Sequence, residues 1–423
     1  MIIRFLTKSQ VKQCLVTVCA NFSFLNYCFT IGWLSNAITV YTSEHSPLST
    51  GPLTTSQVSL MSSVVYLTAI PGSLLFGRLS DWIGRKWSLY LGNLIHITGF
   101  LLLALATNFE MIVVARALNG LGMGCAFVVT QIYVSEIAEK EIRGILGAVY
   151  NSTVSLGGLL ARLICIFVDI SGQSYIFVGT NVIFLVGFLF VHDTPQYLLL
   201  RGRSDRNQME KLTLNDFKPR AVRKAILISL VLYFGKIFCG SSVIIGFAGI
   251  ILKNVGTEMN SEVAAVISTS MVIPSIFILF FLVDSWGRRW IIVLSGLLTA
   301  VFYIPIAIMA RFRHLWHIHD SFGIIFLGVV YCTTSMGVGN LPMQLSAEIL
   351  PPKVRSTVCS TNMMIAWLGK FTLAYIFIPV CESVGMDVMI WCFVVSCFLE
   401  AVFLLKYFPE TKGKTYDEIV KIL

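Results

Sequence analysis

Long runs of apolar residues, separated by short polar stretches, recur along the whole chain. A membrane-spanning helix needs about 20 such residues. Runs of this size lie near residues 12–40, 57–77, 88–107, 111–134, 145–168, 174–191, 224–252, 261–283, 290–311, 320–347, 356–380 and 386–407. They are continuously apolar, whereas the strands of a membrane β-barrel alternate apolar and polar positions over about 10 residues. The pattern therefore predicts an all-α membrane protein with twelve transmembrane helices.

The composition supports a membrane protein and indicates what its basic residues bind. Of the 423 residues, 56% are hydrophobic and 13% are charged, whereas a soluble domain carries about 25% charged residues. The net charge of +9 is spread over short loops and is not gathered in one tail. This distribution favours the lipid bilayer as the partner of the cations, and we expect no nucleic-acid binding.

The cysteines give no sign of a disulfide framework or a metal site. Of the eleven, only Cys381 falls outside the apolar runs, and no CxxC or His-spaced cluster occurs. Cysteines in such runs are typical packing residues. We expect no metal and no cofactor.

The basic residues predict the orientation in the membrane. The longest polar segment, residues 192–223, is rich in Lys and Arg, and cytoplasmic loops carry an excess of these residues. We therefore expect this segment and both termini to be cytoplasmic. The chain is then a six-helix bundle over residues 1–191, a linker over 192–223, a second bundle over 224–407 and a tail over 408–423.

The two halves resemble each other in sequence. An acid precedes a Gly-Arg-basic turn within residues 77–86, after the second run, and within 284–289, after the eighth. At the inner ends of the fourth and tenth runs an acid precedes an arginine by seven residues, in the pairs Glu136 and Arg143, and Glu348 and Arg355. Matched positions of this kind indicate that a six-helix unit has been duplicated.

Eight charges lie at these matched positions on one rim. They are Asp81, Arg85, Glu136, Arg143, Asp284, Arg288, Glu348 and Arg355. Because the loops are short, we expect the acids to pair with the arginines of neighbouring helix ends. Such a network, shielded in one state and hydrated in the other, can bias a two-state equilibrium by a few kcal/mol, so we predict a gate. The alternative is that the arginines are topology signals with incidental acids.

Parallel six-helix repeats are typical of alternating-access carriers, whose site lies where the halves meet. Twelve spans exceed a seven-helix receptor, no filter-like sequence indicates a channel, and no phosphate-binding loop indicates an ATP-driven pump. Asp169 and Glu400 are predicted near span ends and are unpaired in sequence. Catalysis within the membrane is therefore not expected.

Several motifs resemble a known family. The segment GRLSDWIGRK resembles the signature loop of the major facilitator superfamily, and four further segments resemble its sugar-porter family, most closely the insect facilitated trehalose transporters. These segments lie at residues 77–86, 116–124, 133–144, 347–355 and 409–415. The resemblance covers essentially the whole chain and implies the major facilitator fold, alternating access and a small-molecule sugar as the substrate.

The same resemblance indicates where the solute site departs from the family. In span 7 the family pattern Gln-Gln-Phe-Ser-Gly-Ile-Asn reads KIFCGSS, from Lys236 to Ser242. Asn151 keeps an amide in span 5, Met343 replaces a tryptophan in span 10, and Trp367 is retained in span 11. Three residues after that tryptophan, a polar position is a lysine. The implied substrate-binding residues are Asn151, Lys236, Ser242, Met343, Trp367 and Lys370.

Energy coupling also follows from the resemblance. Proton-driven members of the family place an Asp in span 1, and the aligned segment, residues 32–36, contains no acid. A carrier without a titratable group at mid-membrane depth has no proton to couple. We expect facilitated diffusion.

Three hypotheses remain open. The first is a monomeric uniporter of the plasma membrane for a sugar such as trehalose or a hexose. The second is an organic-anion carrier of the same fold, because Arg162, Lys236 and Lys370 all fall at polar family positions. The third is a sensor or scaffold that has lost transport, favoured by the altered motifs of spans 7 and 10 and opposed by the intact rim motifs.

Overall fold

The computed structural model describes residues 7–139, 142–194, 197–198, 214–278, 287–312, 319–411, 418 and 422. Within these ranges it describes the backbone alone at residues 8, 143–145, 147, 148, 150, 151, 214, 320, 352 and 356. The chain divides into two compact units, Met1–Met209 and Glu210–Leu423.

In its described part, the first unit is built from six α-helices. They are α1 (Lys8–Tyr41), α2 (Thr55–Ile83), α3 (Arg85–Ala104), α4 (Phe109–Ile137), α5 (Arg143–Phe167) and α6 (Ile170–Leu189). Side chains of Thr7, Thr54, Asn108 and Asp169 accept the N-terminal hydrogen bonds of α1, α2, α4 and α6. The predicted place of Asp169 at a span end is thereby confirmed.

The second unit, where it is described, contains a 3₁₀ turn and eight α-helices. They are the turn Leu214–Phe217, α7 (Arg220–Phe238), α8 (Ser241–Val255), α9 (Ser261–Ser270), α10 (Arg288–Phe312), α11 (Asp320–Met336), α12 (Pro342–Ile349), α13 (Pro352–Ser383) and α14 (Met386–Tyr407). Helical backbone follows α9 as far as Ile278.

Ten helical segments are long and apolar enough to cross a membrane, and two shorter apolar helices, Ser152–Phe167 and Ser321–Met336, add to them. The described residues contain helices and no strand. The predicted all-α membrane protein with twelve spans is confirmed.

Two predicted spans are not continuous helices. Span 7 is broken between α7 and α8, where Gly240 has φ +72°, a left-handed conformation that glycine adopts without strain. Span 10 is broken between α11 and α12, and there the backbone N–H of Val338 donates to Ser295 Oγ at 3.0 Å. Hydropathy does not register these breaks, because most residues at both are apolar or small and the polar Asn340 stands alone.

Buried polar groups fix how the first unit's helices pack. Asn26 Nδ2 donates to Oδ1 of Asn93 and to Oδ1 of Asn181, both at 2.8 Å, which joins α1, α3 and α6. Arg116 of α4 is 1% exposed and donates to the carbonyls of Thr30 and Met61. In an interior of low polarity, satisfied groups of this kind set one arrangement of the helices.

Candidate functional site

Arg85, the first residue of α3, is the centre of a polar cluster in the first unit. Its Nη2 lies 2.8 Å from Glu136 Oε1, and its Nη1 lies 3.0 Å from Asp81 Oδ1. The side chains of Arg85 and Glu136 are only 8% and 11% exposed, whereas that of Asp81 is 59% exposed. The pair with Glu136 is therefore the one shielded from water, and loss of either partner would leave the other charge buried without its counter-ion.

The chain after α6 completes this cluster. Asp193 Oδ1 accepts from the backbone N–H of Arg85 at 3.1 Å and so caps α3, and the Thr194 hydroxyl donates to Glu136 Oε2. The preceding Gly84 has φ +99°, and a β-carbon there would overlap the Asp193 carboxylate. A glycine is required at this position for both reasons.

Arg288, the first residue of α10, occupies the equivalent position in the second unit. Its Nη1 lies 3.1 Å from Glu348 Oε2, and the two side chains are 26% and 22% exposed. Burial raises the pKa of the Glu348 carboxyl, and the Arg288 charge opposes that rise. This ion pair is more hydrated than the pair between Arg85 and Glu136.

The cap of the first unit is repeated as well. Glu410 accepts from the backbone N–H of Arg288 at 3.0 Å through Oε1, and Thr411 Oγ1 donates to Glu348 Oε2 at 2.8 Å. Gly287 has φ +84°, and a β-carbon there would lie 2.6 Å from Glu410 Oε2. The two units thus contain the same five-part cluster: a left-handed glycine, an arginine, its glutamate, a capping acid and a threonine.

The capping residues were missed from the sequence. The motifs of the sequence assign no role to Asp193, Thr194, Glu410 or Thr411. The signal was present, because an acid followed by threonine closes each half at a matched position. Only the fold brings these residues back to the glycine-arginine turn.

The other predicted rim charges have different outcomes. Arg355 donates through Nε and Nη2 to the Leu350 carbonyl, at 3.3 and 3.1 Å, and within the described residues it has no ion pair with Glu348. Of the two arginines expected to pair with acids in this unit, Arg288 is the one that binds Glu348, and Arg355 binds the carbonyl that follows α12. The side chain of Arg143 and the whole of Asp284 lie outside what the structure describes.

A second polar contact ties α1 to the end of α4. Glu139 accepts from Ser9 Oγ at 3.0 Å and from Gln13 Nε2 at 2.7 Å. These hydrogen bonds, from Ser9 first and Gln13 second, lower the pKa of the Glu139 carboxyl, which is exposed to solvent. No local sequence pattern connects Glu139 with Ser9 and Gln13, which lie 130 and 126 positions away.

Three of the predicted substrate-binding residues lie together in the second unit. Lys370 is 6% exposed, and its Nζ lies 4.8 Å from the centroid of the buried Trp367 ring. Lys236 lies on α7, and Trp367 and Lys370 lie on α13. Their helices cross closely, since a β-carbon at Gly369 would lie 2.9 Å from Ile237 Cδ1.

The remaining three are placed separately. Ser242 is the second residue of α8, is 8% exposed, and its Oγ has no hydrogen-bond partner within the described part of the chain. Met343 lies in the first turn of α12, which packs against α7. Asn151 lies in α5, and its side chain is among those not described.

One acid of the second unit is buried in the helix packing. Glu400 lies seven residues before the end of α14 and is 5% exposed. Neither of its carboxyl oxygens has a hydrogen-bond partner among the described residues. The run predicted over residues 386–407 agrees with α14, so Glu400 keeps its predicted place along the span, and its buried side chain packs against Gly235 of α7.

Comparison with known proteins assigns the family. The family model described as sugar (and other) transporter matches residues 13–215 and again residues 205–423. The chain belongs to the sugar (and other) transporter family. This membership confirms the resemblance seen in the motifs, and the protein is not an enzyme.

Members of the sugar (and other) transporter family from insects are similar over most of this chain. The facilitated trehalose transporter Tret1 of Aedes aegypti is 25% identical over 399 residues, which are 85% of this chain and 49% of that protein. Tret1 of Bombyx mori is 25% identical over 445 residues, 96% of this chain and 86% of that protein. The chain thus spans about half the length of the Aedes protein and most of the Bombyx one.

Solved structures show the same fold. The inward-open xylose transporter XylE from E. coli matches with a TM-score of 0.77 at 20% identity, covering 96% of this chain and 99% of that one. A D-xylose-proton symporter matches with the same TM-score and covers 95% of this chain. The predicted major facilitator fold of this family member is confirmed.

Proposed function

We propose that this protein is a uniporter that carries a sugar such as trehalose or a hexose across the membrane by alternating access. The observation that carries the proposal is the repeated cluster of Arg85 with Glu136 and of Arg288 with Glu348. A protein that only binds a partner does not need ion pairs that form in one conformation and separate in another, and here such a cluster is present in both units. The insect relatives, which are named facilitated trehalose transporters, support the choice of solute and of facilitated diffusion.

The clusters act as gates in this proposal. Each one joins the glycine-arginine turn to the end of a neighbouring helix and to the chain that leaves the last helix of its unit. Shielded ion pairs stabilise the state in which they form, and hydration weakens them in the other state. Asp81, Arg85, Glu136, Arg288, Glu348 and the two caps, Asp193 and Glu410, are assigned to gating on this basis. Arg143, Asp284 and Arg355 are assigned to gating from the sequence repeat alone.

The proposal also includes the place and orientation of the protein. We assign it to the plasma membrane as a monomer, with both termini in the cytoplasm, because the basic loops follow the positive-inside rule. The cargo site is assigned to Asn151, Lys236, Ser242, Met343, Trp367 and Lys370. No proton is coupled, because span 1 has no acid between Gly32 and Asn36.

Uptake by purified protein in liposomes tests this function. Radiolabelled trehalose and glucose should enter until the inside and outside concentrations are equal, and entry should be faster when unlabelled sugar is preloaded on the inner side. Such exchange is expected only of a carrier that alternates. Protein that is folded, inserted and inactive towards the whole sugar panel would overturn the proposal and favour the sensor hypothesis.

A further inference from the structure

An apolar groove lies between α1 and α5 in the first unit. Its volume is about 420 Å³, which is within the range of small-molecule sites. No charged side chain is among the described residues that line it. The lining includes Val18, Phe22 and Leu25 of α1 and Leu156, Leu160 and Leu163 of α5. The groove therefore fits a ligand that is mostly apolar.

The two helices are in contact beside this groove. Gly157 of α5 lines it and lies so close to α1 that a β-carbon there would be 2.8 Å from Leu25 Cδ2. Cys28 Sγ of α1 donates to the Val154 carbonyl of α5 at 3.5 Å. The groove is thus formed by packed helices and does not depend on the position of a loop.

The groove lies on the opposite side of α5 from the position assigned above to the cargo site. Asn151 is two residues away from two of the lining residues, Val149 and Thr153, and two residues turn an α-helix by about 200°. The lining residues Val149, Thr153, Leu156, Leu160 and Leu163 recur at every third or fourth position and so share one face. A molecule in the groove is therefore not the transported sugar.

The edges of the groove are exposed. Val18 of α1 and Leu156, Leu160 and Leu163 of α5 are all exposed. They belong to two apolar helical segments, Ser9–Tyr41 and Ser152–Phe167. Exposed apolar side chains that are grouped in this way mark a surface that binds a ligand or the membrane. In a chain that spans the membrane, the molecules that reach such a surface are components of the bilayer.

One of the two polar side chains in the lining has no described partner. Thr153 Oγ1 donates to the Val149 carbonyl at 2.9 Å. Asn21 is 3% exposed, and neither its Nδ2 nor its Oδ1 has a hydrogen-bond partner among the described residues. A buried amide without partners is costly. The terminal torsion of asparagine is broad, so the amide can turn towards a ligand, and a hydroxyl group, which both donates and accepts, matches both of its ends.

We propose that the groove between α1 and α5 binds a membrane sterol, with the sterol hydroxyl bonded to the Asn21 amide and the ring system packed against the leucines. A sterol combines a rigid apolar body with a single hydroxyl, which is the chemistry of the lining. A phospholipid acyl chain would fill the apolar part and leave the amide unsatisfied. The inference goes beyond the proposed transport function and does not depend on it, because sterol binding is measured without sugar.

Competition for radiolabelled cholesterol on the purified full-length protein tests the chemistry of the site. The competitors are cholesterol, cholestenone, in which a ketone replaces the hydroxyl, and cholestane, which has no oxygen. Cholestenone should compete about fivefold more weakly than cholesterol, which is the effect of one hydrogen bond between neutral groups, and cholestane more weakly still. Equal competition by all three would show a groove for apolar chains in general and overturn the sterol assignment.

A photoreactive cholesterol probe tests the location. Peptides of α1 and α5 should carry the label, and unlabelled cholesterol should prevent the labelling. Label found only on other helices would overturn the site. This experiment uses the wild-type protein, so it does not depend on the folding of any variant.

Matched variants assign binding to the groove. Leu160→Trp should fill the groove and weaken the binding of all three sterols. Leu75→Trp is the control, because Leu75 is an exposed leucine of α2 that does not line the groove. Asn21→Leu should lower the affinity for cholesterol to that for cholestane and leave the affinity for cholestane unchanged. Cholesterol binding that survives Leu160→Trp, or a hydroxyl preference that survives Asn21→Leu, would overturn the proposal.

Discussion

The carboxyl group of Glu400 in α14 occupies the volume that a β-carbon on Gly235 of α7 would fill. Gly235 is therefore a notch in α7, and the side chain of Glu400 fills it. Both residues are buried, and the carboxyl oxygens have no hydrogen-bond partner in the described structure. The contact joins two helices of the second unit through a group that is costly to bury.

Gly235→Ala should destabilise the protein, because the added methyl overlaps the carboxyl group. Overpacking of this kind costs about 1–3 kcal/mol. Glu400→Ala removes the obstacle, so the double variant should be more stable than Gly235→Ala alone. Thermal unfolding of the wild type, both single variants and the double variant measures the coupling. Additive effects of the two substitutions would contradict the overlap.

Arg85→Ala should lower the maximal transport rate while surface expression stays near the wild-type level. The change leaves Glu136 partly buried without its partner, and it weakens the state in which the pair forms. Arg78→Ala is the control, since Arg78 is an exposed arginine of the same segment. Initial uptake rates normalised to surface protein measure the effect. A rate equal to that of the Arg78→Ala control would show that Arg85 sets the membrane orientation and has no role in gating.

Arg288→Ala should act in the same direction and less strongly. Its pair with Glu348 is two to three times more exposed than that of Arg85 with Glu136, and water screens exposed ion pairs. Arg355→Ala should have the smallest effect on transport of the three, because Arg355 binds the Leu350 carbonyl. The same normalised uptake assay ranks them, and an Arg355 effect equal to that of Arg85 would contradict the observed partners.

Asp193→Ala and Glu410→Ala should each lower thermal stability. Each removes the acceptor for the first N–H groups of a helix, α3 in one unit and α10 in the other, and the loss of such a cap costs about 1 kcal/mol. Asp193→Asn keeps an acceptor oxygen and should retain more stability than the alanine variant. Unfolding midpoints of purified protein test this, and identical midpoints for the asparagine and alanine variants would contradict the capping role.

An imposed pH gradient should leave sugar accumulation at the equilibrium ratio. Span 1 has no acid between Gly32 and Asn36, and Glu400 lies on α14, packed against α7. Steady-state accumulation in liposomes, with and without a protonophore, measures coupling in the wild type and in Glu400→Gln. Accumulation that depends on the gradient and disappears in Glu400→Gln would identify this acid as the coupling group and reject uniport.

Much of the architecture was determined by the sequence alone. Apolar runs long enough to cross a bilayer specify helices, because no water is present there to satisfy an irregular backbone. The matched acids and arginines revealed the duplication, and the pairs of Arg85 with Asp81 and with Glu136 could be predicted because short turns bring helix ends together.

Only the tertiary structure determined the contacts between residues that are far apart in sequence and the features that depend on backbone conformation. The capping residues Asp193 and Glu410 bind the glycine-arginine turns, which lie more than 100 residues earlier in the sequence. No local sequence pattern predicts contacts over such a separation. The breaks at Gly240 and after Met336 consist mostly of apolar and small residues, so the apolar runs continue through them. Glu400 can lie against α7 because Gly235 has no side chain. This contact depends on how α14 packs against α7, which the sequence of neither helix specifies alone.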